Sequence, residues 1–298
     1  MALVTHGGTS VSNSFVTMFS DDVKQAYQQM SSKLVDSVRV VRNVTGSTYK
    51  FHVLSKGGSI KNKARFEDLT AMSETTKSLS GSGVYTGGTV QNSTVTATLN
   101  NFHSAEYVDD LDLFKTNVDL RATFSSAIAS ALSRAVDQEI IDVLDANMEL
   151  DQSPFNIAGL TKANLLLIHE RLNSQDVPNN DRVLVISPAA LTDILGDTTL
   201  VSATNGVIAD GALTTGYIPN IFGFRVIVSN LLSSTGTTSG VRSCYAFQKE
   251  ALGLALAQDI TTRIDYVPQK ASSIILGTMS GGAAIIDTTG IVTVNVTE

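Results

Sequence analysis

The side chains able to ligate a metal or act as nucleophiles are few and scattered. Histidines stand at His6, His52, His103 and His169, and the single cysteine is Cys244; no pair among them has the spacing that brings two ligands to one metal ion. His169-Glu170 has the opening of a zinc-protease helix, but Asn173 occupies the place of the second histidine ligand, so the segment reads as an ordinary helix surface. Cys244 sits in the apolar run 241–247 with Arg242 as the only nearby base, which describes a small core residue rather than an activated thiol. Gly81, Gly83, Gly87 and Gly88 fit neither nucleotide-binding fingerprint and read as a flexible loop tip. No Gly-x-Ser-x-Gly elbow marks a serine as a nucleophile. Asp109, Asp110 and Asp112 lack the ligand number and the glycine of a calcium loop; they read as a helix start, where carboxylates are favoured. The sequons at Asn43, Asn92 and Asn295 matter only in a secreted chain, and residues 1–13 are polar rather than a signal peptide. The expectation is a protein with no catalytic, cofactor or metal site, and therefore not an enzyme.

What remains is a chain built to fold. Its 298 residues are 43% hydrophobic and 16% charged, enough to bury a substantial core. The formal net charge of −7 argues against a general nucleic-acid binder, so any DNA contact is expected to be weak and non-specific. No run approaches the roughly 18 apolar residues of a membrane helix, so no membrane is expected and synthesis is expected in the cytoplasm.

Residues 5–14 have the Gly, Ser and Thr content of a flexible arm. A helix is predicted from Ser20, which can cap it; Asp21 and Asp22 suit its positive end, and Val23, Ala26, Tyr27, Met30 and Leu34 fall on one face. Residues 38–44 and 48–54 read as strands around the turn 45–47. Residues 55–89 are too poor in apolar side chains to build a core and read as a two-stranded excursion with a mobile tip, closed by alternating residues 90–99. Its Lys56, Lys61, Lys63 and Arg65 have two readings: a solvated loop, or half of an intersubunit salt bridge to an acidic patch. One long helix is predicted over about 113–150, because Leu120, Phe124, Ala127, Ile128, Ala131, Leu132, Ala135, Val136, Ile140, Val143 and Leu144 keep a helical stripe while Asp119, Arg121, Asp137, Glu139 and Asp142 mostly ride the other faces. Beyond it the pattern is mixed: helices at 162–172 and 188–195, strands at 182–186 and 225–229. The last third reads as strands at 243–248, 260–266, 272–279 and 283–296, punctuated by Gly281-Gly282 and 288–290. The class is α+β, with no fixed-period repeat.

Three segments, in this order, resemble the major capsid protein family of tailed double-stranded-DNA bacteriophages. Residues 107–121 (YVDDLDLFKTNVDLR) and the alanine-striped helix resemble the family's spine helix and its approach; 216–230 (GYIPNIFGFRVIVSN) resemble a stretch of its axial domain; 249–255 (KEALGLA), 264–266 and the strands of 277–296 resemble the return to its peripheral domain. The resemblance implies the tailed-phage capsid fold: an N-terminal arm and helix at 1–45, an extended loop at 46–101, a peripheral domain at 102–154 and 259–298, and an axial domain at 155–258. It implies a structural subunit that self-assembles as pentamers and hexamers into an icosahedral head around the genome, in the virion. Its partners would be further copies, a portal protein at one vertex, decoration proteins in some shells, and packaged double-stranded DNA. Some members begin with a scaffolding domain of about a hundred residues; here the first predicted helix leaves no room for one, so a separate scaffolding protein is expected. No local motif identifies a lysine–asparagine crosslink. The nearest competing reading is an encapsulin-like nanocompartment shell.

Overall fold

A computed structural model of the chain describes residues 27–54, 92–113, 119–146, 155–197, 218–232 and 240–297, with Lys115, Leu200 and Gly216. The long helix α2 covers Leu120–Ala146 and follows a single turn, α1, at Asp110–Leu113. α2 starts at the first residue of its stripe, later than the predicted bound near 113, because Asp119 caps it: its carboxylate accepts from the backbone N–H of Arg121 and Ala122, both at 3.1 Å. Along α2 the stripe faces inward through Ile128, Leu132, Val136, Ile140 and Leu144, joined by Ile141.

Under α2 lies a four-stranded sheet in the order β1 (Arg39–Arg42), β10 (Leu252–Val267), β11 (Ser272–Ile285), β4 (Asn100–Asp109). β1 runs parallel to β10, and the other pairs are antiparallel. Side chains alternate across a strand, so Ile275, Gly277 and Met279 share one face of β11 and Gly282 and Ala284 the other. The first face receives α2: a Cβ on Gly277 would lie 2.3 Å from Cγ2 of Ile128 and 2.9 Å from Cδ1 of Leu132. The second receives the root of a two-stranded antiparallel ribbon, β2 (Thr48–Leu54) and β3 (Asn92–Thr98), through the cluster Val44, Phe51, Ala97, Ala255 and Ala284.

That close approach corrects the expectation that Gly281-Gly282 separates two strands. Both lie inside β11. A Cβ on Gly282 would fall 1.9 Å from the carbonyl oxygen of Thr98, so glycine is there to admit the ribbon, not to turn the chain. The predicted helix from Ser20 also needs correction over its described part: residues 27–34 are not helical, Leu34 is buried, and Tyr27 and Met30 are exposed. The hydrogen bonds that replace the helix are described below.

A second, six-stranded sheet is ordered β5 (Phe155–Ile157), β12 (Ile291–Thr297), β9 (Val241–Gln248), β6 (Arg182–Ile186), β8 (Phe224–Val228), β7 (Asn220–Ile221). Every residue of β6 is buried, as its continuous apolar run requires. Helices α3 (Lys162–Ser174) and α4 (Pro188–Gly196) lie where their patterns predict. Ser187 caps α4 by accepting from Ala190 N–H at 3.1 Å, and Asp197 accepts from Lys162 N–H at 2.9 Å at the start of α3. The sheets divide the chain differently from a boundary at residue 259: β10 begins in the four-stranded sheet at Leu252, and the last strand, β12, is hydrogen-bonded into the six-stranded one beside β9. One hydrophobic core runs through both sheets and α2.

Candidate functional site

A heavily hydrogen-bonded polar group in the interior is the carboxylate of Asp137, in the middle of α2 and only 1% exposed. It accepts four hydrogen bonds from one short segment about a hundred residues earlier: Gln29 Nε2 at 2.5 Å, Ser32 Oγ at 2.5 Å, Lys33 N–H at 2.8 Å and Leu34 N–H at 3.1 Å. One turn earlier, Arg134 donates to Gln28 Oε1 at 2.8 Å and to the Gln29 carbonyl at 3.0 Å. Lys33 Nζ reaches the Val228 carbonyl on β8 at 2.9 Å. Backbone N–H groups that a helix would pair with carbonyls four residues back are here spent on Asp137, which is why residues 27–34 take an irregular path. Residues 28–34 are thus tied to the long helix and to the six-stranded sheet. The prediction that Asp137 rides an outer face is wrong: it is in line with Ile141 and Leu144, and that placement was the available signal.

The second feature is the ribbon root. β2 and β3 stay paired out to Leu54↔Asn92, so the chain of 55–91 leaves and returns at one point. Lys56, Lys61, Lys63 and Arg65 lie outside the described residues. The third is the far half of β10, which β1 covers only from Gly253 to Leu256. Beyond it, residues 261–266 are all exposed, Ile264 and Tyr266 among them. On β4, Tyr107 is also exposed, with Lys270 Nζ 3.7 Å above its ring centre.

The other candidates resolve individually. His169 is half-buried on α3, with Nδ1 3.0 Å from Asn173 Nδ2 and its ring edge-on to Phe224. Cys244 is buried on β9, as a core residue should be. Asp109 accepts from Leu111 N–H at 2.8 Å, which makes the acidic cluster a helix start. Among the described residues there is no group of three His, Cys, Asp or Glu able to hold a metal, and no helix long and apolar enough to cross a membrane. Burial lowers the Arg182 guanidinium from its ordinary value, and two acids are displaced upward. Burial raises the Glu139 carboxyl, with Asp142 adding to the rise and a hydrogen bond from Asn100 opposing it. Burial, and then the bond it donates to Asp145, push the Tyr245 phenol far up. Neither group is part of a nucleophile–base pair.

With that geometry in view, comparison with known proteins is direct. A family model described as phage capsid protein matches residues 11–298. No curated protein sequence matches at a significant level. Solved structures share the fold: the capsid of the cyanophage P-SCSP1u (17% identity, 99% of this chain and 97% of that one, TM-score 0.75), a structure of Mycobacterium phage Che8 (18%, 94% and 96%, 0.69), and the capsid of a native GTA particle (13%, 100% and 100%, 0.71).

Proposed function

Because the chain belongs to the phage capsid protein family and is a structural subunit of a virion capsid, we propose that it is the major capsid subunit of a tailed phage, closing as pentamers and hexamers into an icosahedral head. The observation that supports this best is one sheet carrying a long helix on one face and the root of a projecting ribbon on the other. A subunit so built has a rigid plate for a shell wall and a limb that leaves the plate. The family match favours a phage capsid over an encapsulin-like shell.

In this reading α2 and the four-stranded sheet form the peripheral domain, and the six-stranded sheet with α3 and α4 forms the axial domain. The loop of 55–91 lies over an adjacent copy, with Lys56, Lys61, Lys63 and Arg65 meeting a neighbour's carboxylates. The protein carries out no catalysis and takes no cofactor. It assembles in the host cytoplasm on a separate scaffolding protein, around a portal at one vertex, with decoration proteins added in some shells. Contacts worth only a few kcal/mol each become decisive when every subunit engages several neighbours. The acidic balance means that packaged DNA is confined rather than gripped.

Negative-stain electron microscopy of the purified protein, expressed with and without a neighbouring scaffold gene, tests the reading. Uniform hollow icosahedral particles are expected, at least with the scaffold. A small monodisperse species under both conditions would overturn it, and tight binding of duplex DNA by free subunits at physiological salt would overturn the account of the genome.

A further inference from the structure

A cavity of about 290 Å³ opens where the end of the segment 35–37, the start of β6, the β7–β8 hairpin and Lys249 meet; its wall includes Asp36, Ser37, Asp181, Arg182, Arg225 and Lys249. Two residues in that wall carry buried polar atoms with no hydrogen-bond partner, Nη1 of Arg182 and Oγ of Ser37. Both residues are 1% exposed. The other nitrogens of Arg182 are engaged: Nε donates to the Pro178 carbonyl at 2.9 Å, and Nη2 to Asn173 Oδ1 at 2.8 Å and the Val177 carbonyl at 2.6 Å. Among the described residues all its acceptors are neutral, so no described carboxylate pairs with this buried guanidinium. Buried donors nearly always find partners, and an orphan in a cavity wall marks a place where an acceptor is missing. Arg225 and Lys249 complete the positive side, and among the described residues no ion pair engages either of them.

We propose that this cavity receives a carboxylate from a second copy of the chain, making it an ionic contact between subunits of the shell; the inference rests on the capsid reading above. Three cations and two carboxylates, Asp36 and Asp181, leave the wall one positive charge in excess. That excess suits a single carboxylate, whereas the successive phosphates of a nucleic acid would meet both aspartates. The chain carries 28 acidic residues against 21 basic ones, so another copy offers more carboxylates than cations to such a cavity. Guanidinium and carboxylate match in geometry as well as charge.

Zero-length carbodiimide crosslinking tests this, because it joins an amine to a carboxylate only where the two are in contact. Particles are grown from a mixture of ¹⁴N- and ¹⁵N-labelled subunits. The expected product is an amide between Lys249 of one isotope and an aspartate or glutamate peptide of the other. In parallel, the double variant Arg225→Glu, Lys249→Glu should melt within a few degrees of the parent as a free subunit, yet need at least tenfold more protein to assemble. Parent particles in which Lys249 is joined only to Asp36 or Asp181 of its own chain, or not joined at all, would overturn the inference and leave the capsid reading standing. So would a variant that assembles at the parent's concentration, or one that assembles normally but loses DNA retention, which would assign the cavity to phosphate. Failure of the parent itself to form particles is a failure of the capsid reading, and an unmodified Lys249 in that material would overturn the inference too.

Discussion

Asp137 is a buried carboxylate whose partners are two backbone N–H groups and two neutral side chains. Truncating it leaves those donors unsatisfied, at about 1–3 kcal/mol for each one that water cannot reach. Asp137→Ala should therefore lower the stability of the free subunit by about 3 kcal/mol, read from urea unfolding, and expose residues 27–34 to limited proteolysis; an unchanged midpoint and cleavage pattern would show that the segment is held otherwise. Glu139 gives a prediction of the opposite sign. Its folded carboxyl is raised above the ordinary glutamate value, so its contribution to stability is full below that value and is lost as pH rises through the raised one. Glu139→Gln, which keeps an acceptor for Asn100, should raise Tm at pH 7.5 and leave it nearly unchanged at pH 4. A fall at pH 7.5 larger than at pH 4 would contradict the sign.

At the scale of elements, the contact that defines this architecture is backbone against backbone, β11 against the ribbon root. Gly282→Ala places a methyl group inside the Thr98 carbonyl, and such overpacking costs typically about 1–3 kcal/mol or more. Gly196→Ala, at the end of α4 with nothing within 4 Å of the new methyl group, is the matched control and should be neutral or slightly stabilising. Comparing the two by thermal unfolding separates a steric role from a general preference for glycine; equal Tm values would remove Gly282 from the argument. The stripe of α2, the buried run of β6 and the helix α4 could all be read from the local pattern, because local geometry dictates them. The helix expected from Ser20 could not hold through residues 27–34, since a correct local pattern there is outbid by a tertiary acceptor, Asp137, whose position depends on α2.

For the whole molecule, the ribbon can be closed without disturbing its root, because β2 and β3 pair out to Leu54↔Asn92. Replacing residues 55–91 with an Asn-Gly turn should leave a soluble subunit with the parent's melting behaviour that forms no shells. Normal shells from that variant would show that the loop of Lys56, Lys61, Lys63 and Arg65 is not an assembly limb. The sequence alone determined the α+β class, the long helix, most strand positions and the family resemblance, because each rests on local periodicity or on the order of short segments along the chain. Only the tertiary structure decided that the last strand joins the six-stranded sheet, that Gly282 admits another backbone, that Asp137 faces inward, and that Arg182 and Ser37 meet at one cavity. Those facts depend on which distant segments come together, and pairing energies between segments a hundred residues apart leave no period in the sequence to be read.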